Sequence, residues 1–80
     1  MRLRKMALLE LRNDEFGTIR SVGSGRAERM RLASLGFTPG AQIIMTQNYG
    51  RGPVIVSVRG ARVALGRGEA AEIIVERATA

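Results

Sequence analysis

The apolar positions of this eighty-residue chain fall into short runs separated by glycine, proline and asparagine, and most runs have a legible period. Leu8, Leu9 and Leu11 form an opening apolar segment, read as a turn of helix ended by Asn13-Asp14. Thr18-Ile19-Arg20-Ser21-Val22 is rich in β-prone residues and is expected to be the first strand. Gly23-Ser24-Gly25 breaks it, and Ser24 is placed to cap a helix running to Leu35. That helix is only moderately amphipathic. Leu32 and Leu35 share a face at i,i+3, while Glu28 and Arg29 point in other directions.

The window Leu32-Ala33-Ser34-Leu35-Gly36-Phe37-Thr38-Pro39-Gly40 constrains the fold most sharply. Gly36 stands where a helix ends on a left-handed residue, and Pro39-Gly40 has the chemistry of a type II turn. A strand, Gln42 to Thr46, follows at once. Asn48-Tyr49-Gly50-Arg51-Gly52 is a hairpin loop leading into Pro53-Val54-Ile55-Val56-Ser57-Val58. In that strand Val54, Val56 and Val58 face one side, and Ile55 and Ser57 the other. Arg59-Gly60 makes a tight turn into Ala61-Arg62-Val63-Ala64-Leu65. A polar turn, Gly66 to Glu72, precedes a last strand, Ile73 to Glu76. The reading is a mainly β domain with one or two short helices. Five short strands with tight turns predict a closed or nearly closed barrel.

Length and composition agree with one small folded domain spanning residues 1–80: 45% of residues are apolar and 25% charged. Residues 1–6 are basic and then apolar, but Glu10 and Arg12 interrupt the apolar run well short of a secretory core or membrane span. They are expected to be a frayed extension of a cytoplasmic protein, and Met6 is a second candidate start. Twelve arginines and one lysine against seven acids give a net charge of +6. The arginines are scattered, which suits a solubilising surface, and they favour acidic partners of some kind.

Catalysis has little to stand on, and the expectation is a non-enzyme without a cofactor. Ser21, Ser24, Ser34 and Ser57 have no histidine to activate them, because the chain has none. Cysteine is absent too, so disulfides and thiolate metal sites are excluded. Glu69 and Glu72 read as a solvated turn, and carboxylates alone would bind a metal weakly. Gly23-Ser24-Gly25 fits neither phosphate-loop pattern, since Glu28 stands where a dinucleotide fingerprint needs a small residue and Lys5 is the only lysine. Tyr49 beside Arg51 at a hairpin tip is a thin basis for stacking a base. Phe16 and Phe37 are the only other aromatics.

Two segments in order resemble the FeoA family, small cytosolic proteins of bacterial ferrous-iron uptake. Leu32 to Gly40 is similar to that family's L-x-x-L-G-hydrophobic-x-P-G signature, and Val58-Arg59-Gly60-Ala61-Arg62-Val63-Ala64-Leu65 to its V-R-G-x-x-hydrophobic-A-L segment. The resemblance covers roughly residues 8–77. It implies an SH3-like β-barrel with a helix packed on it, and a partner, the FeoB membrane transporter with its cytosolic GTP-binding domain. It also implies an accessory role in Fe(II) transport, with the protein recruited to the inner face of the membrane by that partner and not inserted in it. Where many members have L-G-D-P in the central hairpin, this chain has Gly50-Arg51-Gly52-Pro53, so an acidic position is lost and a basic one gained. Candidate partner contacts are Leu32, Leu35, Phe37 and Pro39 along the helix end, with Arg59 and Arg62 on the adjacent hairpin. The two leucines also suit a core, and Gly36, Pro39, Gly40 and Gly60 suit backbone geometry. The runner-up is a basic barrel that binds nucleic acid. A further rival is a relative of the SH3-like domain of metal-dependent repressors, acting as an oligomerisation module.

Overall fold

The computed structural model describes residues 2–23 and 25–79, so Ser24, the expected helix cap, lies outside the described residues. Strands β1 (Arg2–Ala7), β2 (Phe16–Val22), β3 (Gln42–Gln47), β4 (Val54–Val58), β5 (Ala61–Leu65) and β6 (Ile73–Thr79) join one antiparallel sheet in the order β1-β6-β2-β3-β4-β5. A 3₁₀ turn (Leu8–Glu10) follows β1, helix α1 (Arg26–Ser34) joins β2 to β3, and α2 (Arg67–Glu72) leads into β6. Ladder irregularities between Ile19 and Ser21 and between Met45 and Gln47 are where β2 and β3 bend. The sheet thereby curls over a single core.

Alternation decides which face is inside. Ile43 and Met45 on β3, Val54, Val56 and Val58 on β4, and Ile73 and Val75 on β6 are all buried. Leu8 and Leu11 close one opening of the curled sheet, Leu32 and Phe37 another, and Ala70 of α2 completes the cover. Among the described residues no charged or polar side chain is buried. Their polar chemistry is therefore all at the surface.

Three expectations are corrected. Residues 2–7 do not fray: β1 pairs with β6 throughout, from Arg2 opposite Thr79 to Ala7 opposite Ile74. The expected end of β6 at Glu76 is passed by three residues, and that longer strand offers a free edge for β1 to satisfy. Lys5 stands opposite Glu76, a favourable cross-strand pair. The sheet thus has six strands where five were expected, with β1 and β5 at its edges. The polar stretch Gly66 to Glu72 is a helix over Arg67–Glu72, because Glu69-Ala70-Ala71-Glu72 are good helix formers and Ala70 has a core to enter. The Glu69 carboxylate accepts the Gly66 N–H at 3.3 Å, and Arg31 of α1 pairs with the same side chain, tying the two helices together.

Candidate docking surface

The end of α1 is set by hydrogen bonding. Phe37 N–H donates to Leu32 carbonyl oxygen at 2.9 Å and Gly36 N–H to that of Ala33 at 3.0 Å, around Gly36 at φ 102°. This is a Schellman motif, and its usual apolar contact is present: Leu32 and Phe37 are both in the core. The next turn is closed by Ala41 N–H on Thr38 carbonyl oxygen at 3.0 Å, with Pro39 and then Gly40 at φ 92°, as a type II turn requires. Gly40 N–H donates to Ile19 carbonyl oxygen at 2.7 Å and Ile19 N–H to that of Ala41 at 2.8 Å, which fastens the turn to β2.

The β4–β5 turn lies against this helix end. Val58 pairs with Ala61, leaving Arg59 and Gly60 as a two-residue loop with φ of 50° and 82°. Two positive values define the type I′ geometry that suits hairpins, a conformation asparagine and glycine take far more readily than arginine. The Arg59 side chain runs back over Gly36 and donates from Nη2 to Thr38 Oγ1 at 3.1 Å. On one side of it is a groove of about 340 Å³ between Leu35, Thr38, Val58 and Ala61. On the other is a hollow of about 350 Å³ on the outer sheet face, lined by Phe16, Gln42, Ile44, Ser57 and Gly60.

The sequence-derived contact residues divide cleanly. Leu35, Pro39, Arg59 and Arg62 are exposed around the helix end and hairpin. Leu32 and Phe37 are not available to a partner, because the Schellman contact draws both inside. Sequence reasoning passed over Phe16 and Ile44, which are 61% and 45% exposed and face each other across β2 and β3. Their phase was the available signal: Ile44 is out of step with the buried Ile43 and Met45. Asn48 was also missed. Its Nδ2 donates to the carbonyl oxygens of Leu9 and Leu11, both at 2.9 Å, and its Oδ1 accepts from Gly50 N–H and Arg67 Nη1. Glu69 and Glu72 lie on α2, and no three metal-ligating side chains gather among the described residues. Tyr49 is 71% exposed at the hairpin tip. No helix among the described residues is long and apolar enough to cross a membrane.

Curled antiparallel sheet, covering helices and an exposed hairpin at a helix end define a small SH3-like β domain whose usable chemistry is on its surface. The FeoA domain family matches residues 6–77. The chain belongs to the FeoA family, small proteins of Fe(II) transport. A Methanocaldococcus jannaschii protein, named as a candidate Fe(2+) transport protein A, is 37% identical over 60 residues, covering 75% of this chain and 72% of that one. The crystal structure of an iron uptake regulatory protein (FeoA) superposes with a TM-score of 0.84 at 35% identity, covering 90% of this chain and 96% of that one. FeoA from Stenotrophomonas maltophilia, crystallised with zinc and described as an SH3 domain protein, gives 0.78 at 28% identity, covering 90% and 95%. A manganese-dependent repressor shares the fold alone, with a TM-score of 0.77 at 22% identity over 42% of its chain.

Proposed function

We propose that this protein is a cytoplasmic accessory component of Fe(II) uptake that docks, through the junction of α1 and the β4–β5 hairpin, on the cytosolic GTP-binding domain of a FeoB-type transporter. Family membership supplies the Fe(II) connection. The observation that carries the docking surface is Arg59: a long cation held in a left-handed turn position and laid along an open groove. Non-glycine residues in that region cost of order 1–3 kcal/mol and persist where surrounding structure or function demands them. Arg62 extends the cationic character along β5. In this reading iron is the transporter's cargo. The chain has neither histidine nor cysteine, the donors best suited to holding a borderline metal.

The test is binding of the purified transporter domain, with and without a guanine nucleotide, to the wild-type chain and to Arg59→Ala/Arg62→Ala. Wild-type binding that persists at 0.3 M salt and falls about tenfold in the double variant supports the reading, in line with the loss expected for interface charge pairs. Absence of wild-type binding in either nucleotide state sinks it.

A further inference from the structure

The outer face of the sheet carries a row that no surface-solubility argument explains. Phe16 on β2 is opposite Ile44 on β3, Ile44 is opposite Ser57 on β4, and Ser57 is opposite Arg62 on β5. Residues directly opposite in antiparallel strands share a face, so four neighbouring strands present aromatic, aliphatic, hydroxyl and guanidinium groups in order. The hollow beside this row is bounded by Gln42 and by Arg59 and Gly60 of the hairpin turn. A second hollow of about 250 Å³ lies on the far side of Phe16, reaching Leu3, which is 67% exposed. Phe16 is thus a wall between two apolar seats on one face.

Charge selects the occupant. Four of the seven acids are committed to other arginines: Glu15 to Arg77, Glu76 to Arg20, and Glu28 and Glu69 to Arg31. None of the ion pairs among the described residues reaches Arg59 or Arg62. An occupant must therefore supply its own carboxylate at the hairpin end, and a large apolar side chain for the hollow between Phe16 and Ile44. From Ile44 to Arg62 is two strand spacings, about 10 Å, or about three residues of extended chain, and the arginine stems shorten that gap. A second copy of this chain is disfavoured, since the carboxylate lining this face, Glu76, is already paired with Arg20. A nucleic acid would find one aromatic platform beside an aliphatic side chain that cannot stack.

We infer that the outer sheet face is a docking site for an acidic segment of a partner protein, one that places a large apolar residue between Phe16 and Ile44 and a carboxylate one to three residues away on Arg59 or Arg62. The inference rests on the docking reading above only in taking a protein as the partner. It adds a second contact surface that is continuous with the first through Arg59.

Two probes separate the two readings. A ¹⁵N-labelled sample is titrated with a blocked Glu-Leu-Asp-Leu-Glu peptide, with its lysine-for-acid counterpart, and separately with the transporter's GTP-binding domain. The expected result is saturable shifts at the amides of Phe16, Ile44, Ser57 and Arg62 with the acidic peptide and none with the basic one. Ile44→Ser and Arg62→Glu, both at exposed positions and checked for unchanged melting, should each weaken that binding at least fivefold. If the transporter domain binds but shifts only Leu35 and Thr38, the sheet-face site is overturned and the helix-end reading stands. If the acidic peptide seats on the sheet face while the transporter domain does not bind, the choice of partner falls and the sheet-face site stands. Saturable shifts of the same amides by a single-stranded oligonucleotide, or self-association abolished by Arg62→Glu, would overturn it.

Discussion

Arg59 lies across Gly36 so closely that a β-carbon at Gly36 would stand 3.3 Å from Arg59 Cδ and 3.3 Å from Val58 Cγ2. The two residues belong to different signature segments, one ending α1 and the other turning β4 into β5. Their contact is where those segments meet. Gly36 is needed twice, once for its φ of 102° and once to admit the arginine stem and the buried valine.

Gly36→Ala should therefore be more destabilising than Gly40→Ala. Both positions are left-handed, but a β-carbon at Gly40 would meet nothing within 4 Å. We expect about 1 kcal/mol for Gly40→Ala from backbone strain and about 2–4 kcal/mol for Gly36→Ala, where crowding adds to it. Urea unfolding of both variants reads the difference, and equal losses would show that the Arg59–Gly36 approach imposes no constraint.

Replacing Arg59 by asparagine should separate stability from docking. Asparagine accepts the left-handed turn position more readily, so Arg59→Asn should be neutral or stabilising by up to about 1 kcal/mol, after the loss of one exposed hydrogen bond to Thr38. Affinity for the transporter domain should fall all the same. A variant that lost both would assign Arg59 to the fold and not to the surface.

Asn48→Asp keeps the acceptor and removes both amide donors. The carbonyl oxygens of Leu9 and Leu11 then lose their partner, and a carboxylate is brought toward them. A cost of about 1–3 kcal/mol is expected, of the size seen when a partly buried polar group loses its partner. Amide exchange should quicken around Leu8–Leu11 before it does in β4. Unchanged exchange there would mean that the 3₁₀ turn is held by its apolar contacts alone.

Deleting residues 2–5 should lower the melting temperature and expose the outer edge of β6. The ladder from Arg2 to Ala7 is continuous, so its removal leaves β6 backbone groups to water. A silent deletion would support a frayed N-terminal segment after all.

What was legible in the sequence was local. The stop at Gly36, the turn at Pro39-Gly40 and the alternation of β4 each depend on residues within a few positions of one another, and all three stand as read. What was not legible depends on distant partners. Asn48 finds its acceptors 37 and 39 residues away, and β1 acquires its ladder only when the far end of the chain is laid beside it. Helix α2 is an intermediate case: its Glu-Ala-Ala-Glu core announces helix, but flanking glycines and short length masked it. Among the candidate contact residues, Arg59 and Arg62 stand out in the sequence as charges beside a tight turn, and both are exposed. Leu32 and Phe37 suit both core and contact in the sequence, and only the closure of the helix end shows both drawn inside. Phe16 and Ile44 went unnoticed because each looks like ordinary strand content until its phase is compared with its neighbours.

The pairing of Arg2 with Thr79 puts the two ends of the described chain a strand's width apart, roughly 5 Å. A domain that enters and leaves at one point can be spliced into a loop of a larger protein without stretching host or guest, and can be reopened elsewhere with its old ends joined. Such a closed itinerary makes this small domain portable. The hairpin tip at Tyr49 is then the natural place to cut for a rearranged version, while the junction of Gly36 and Arg59 stays intact inside it.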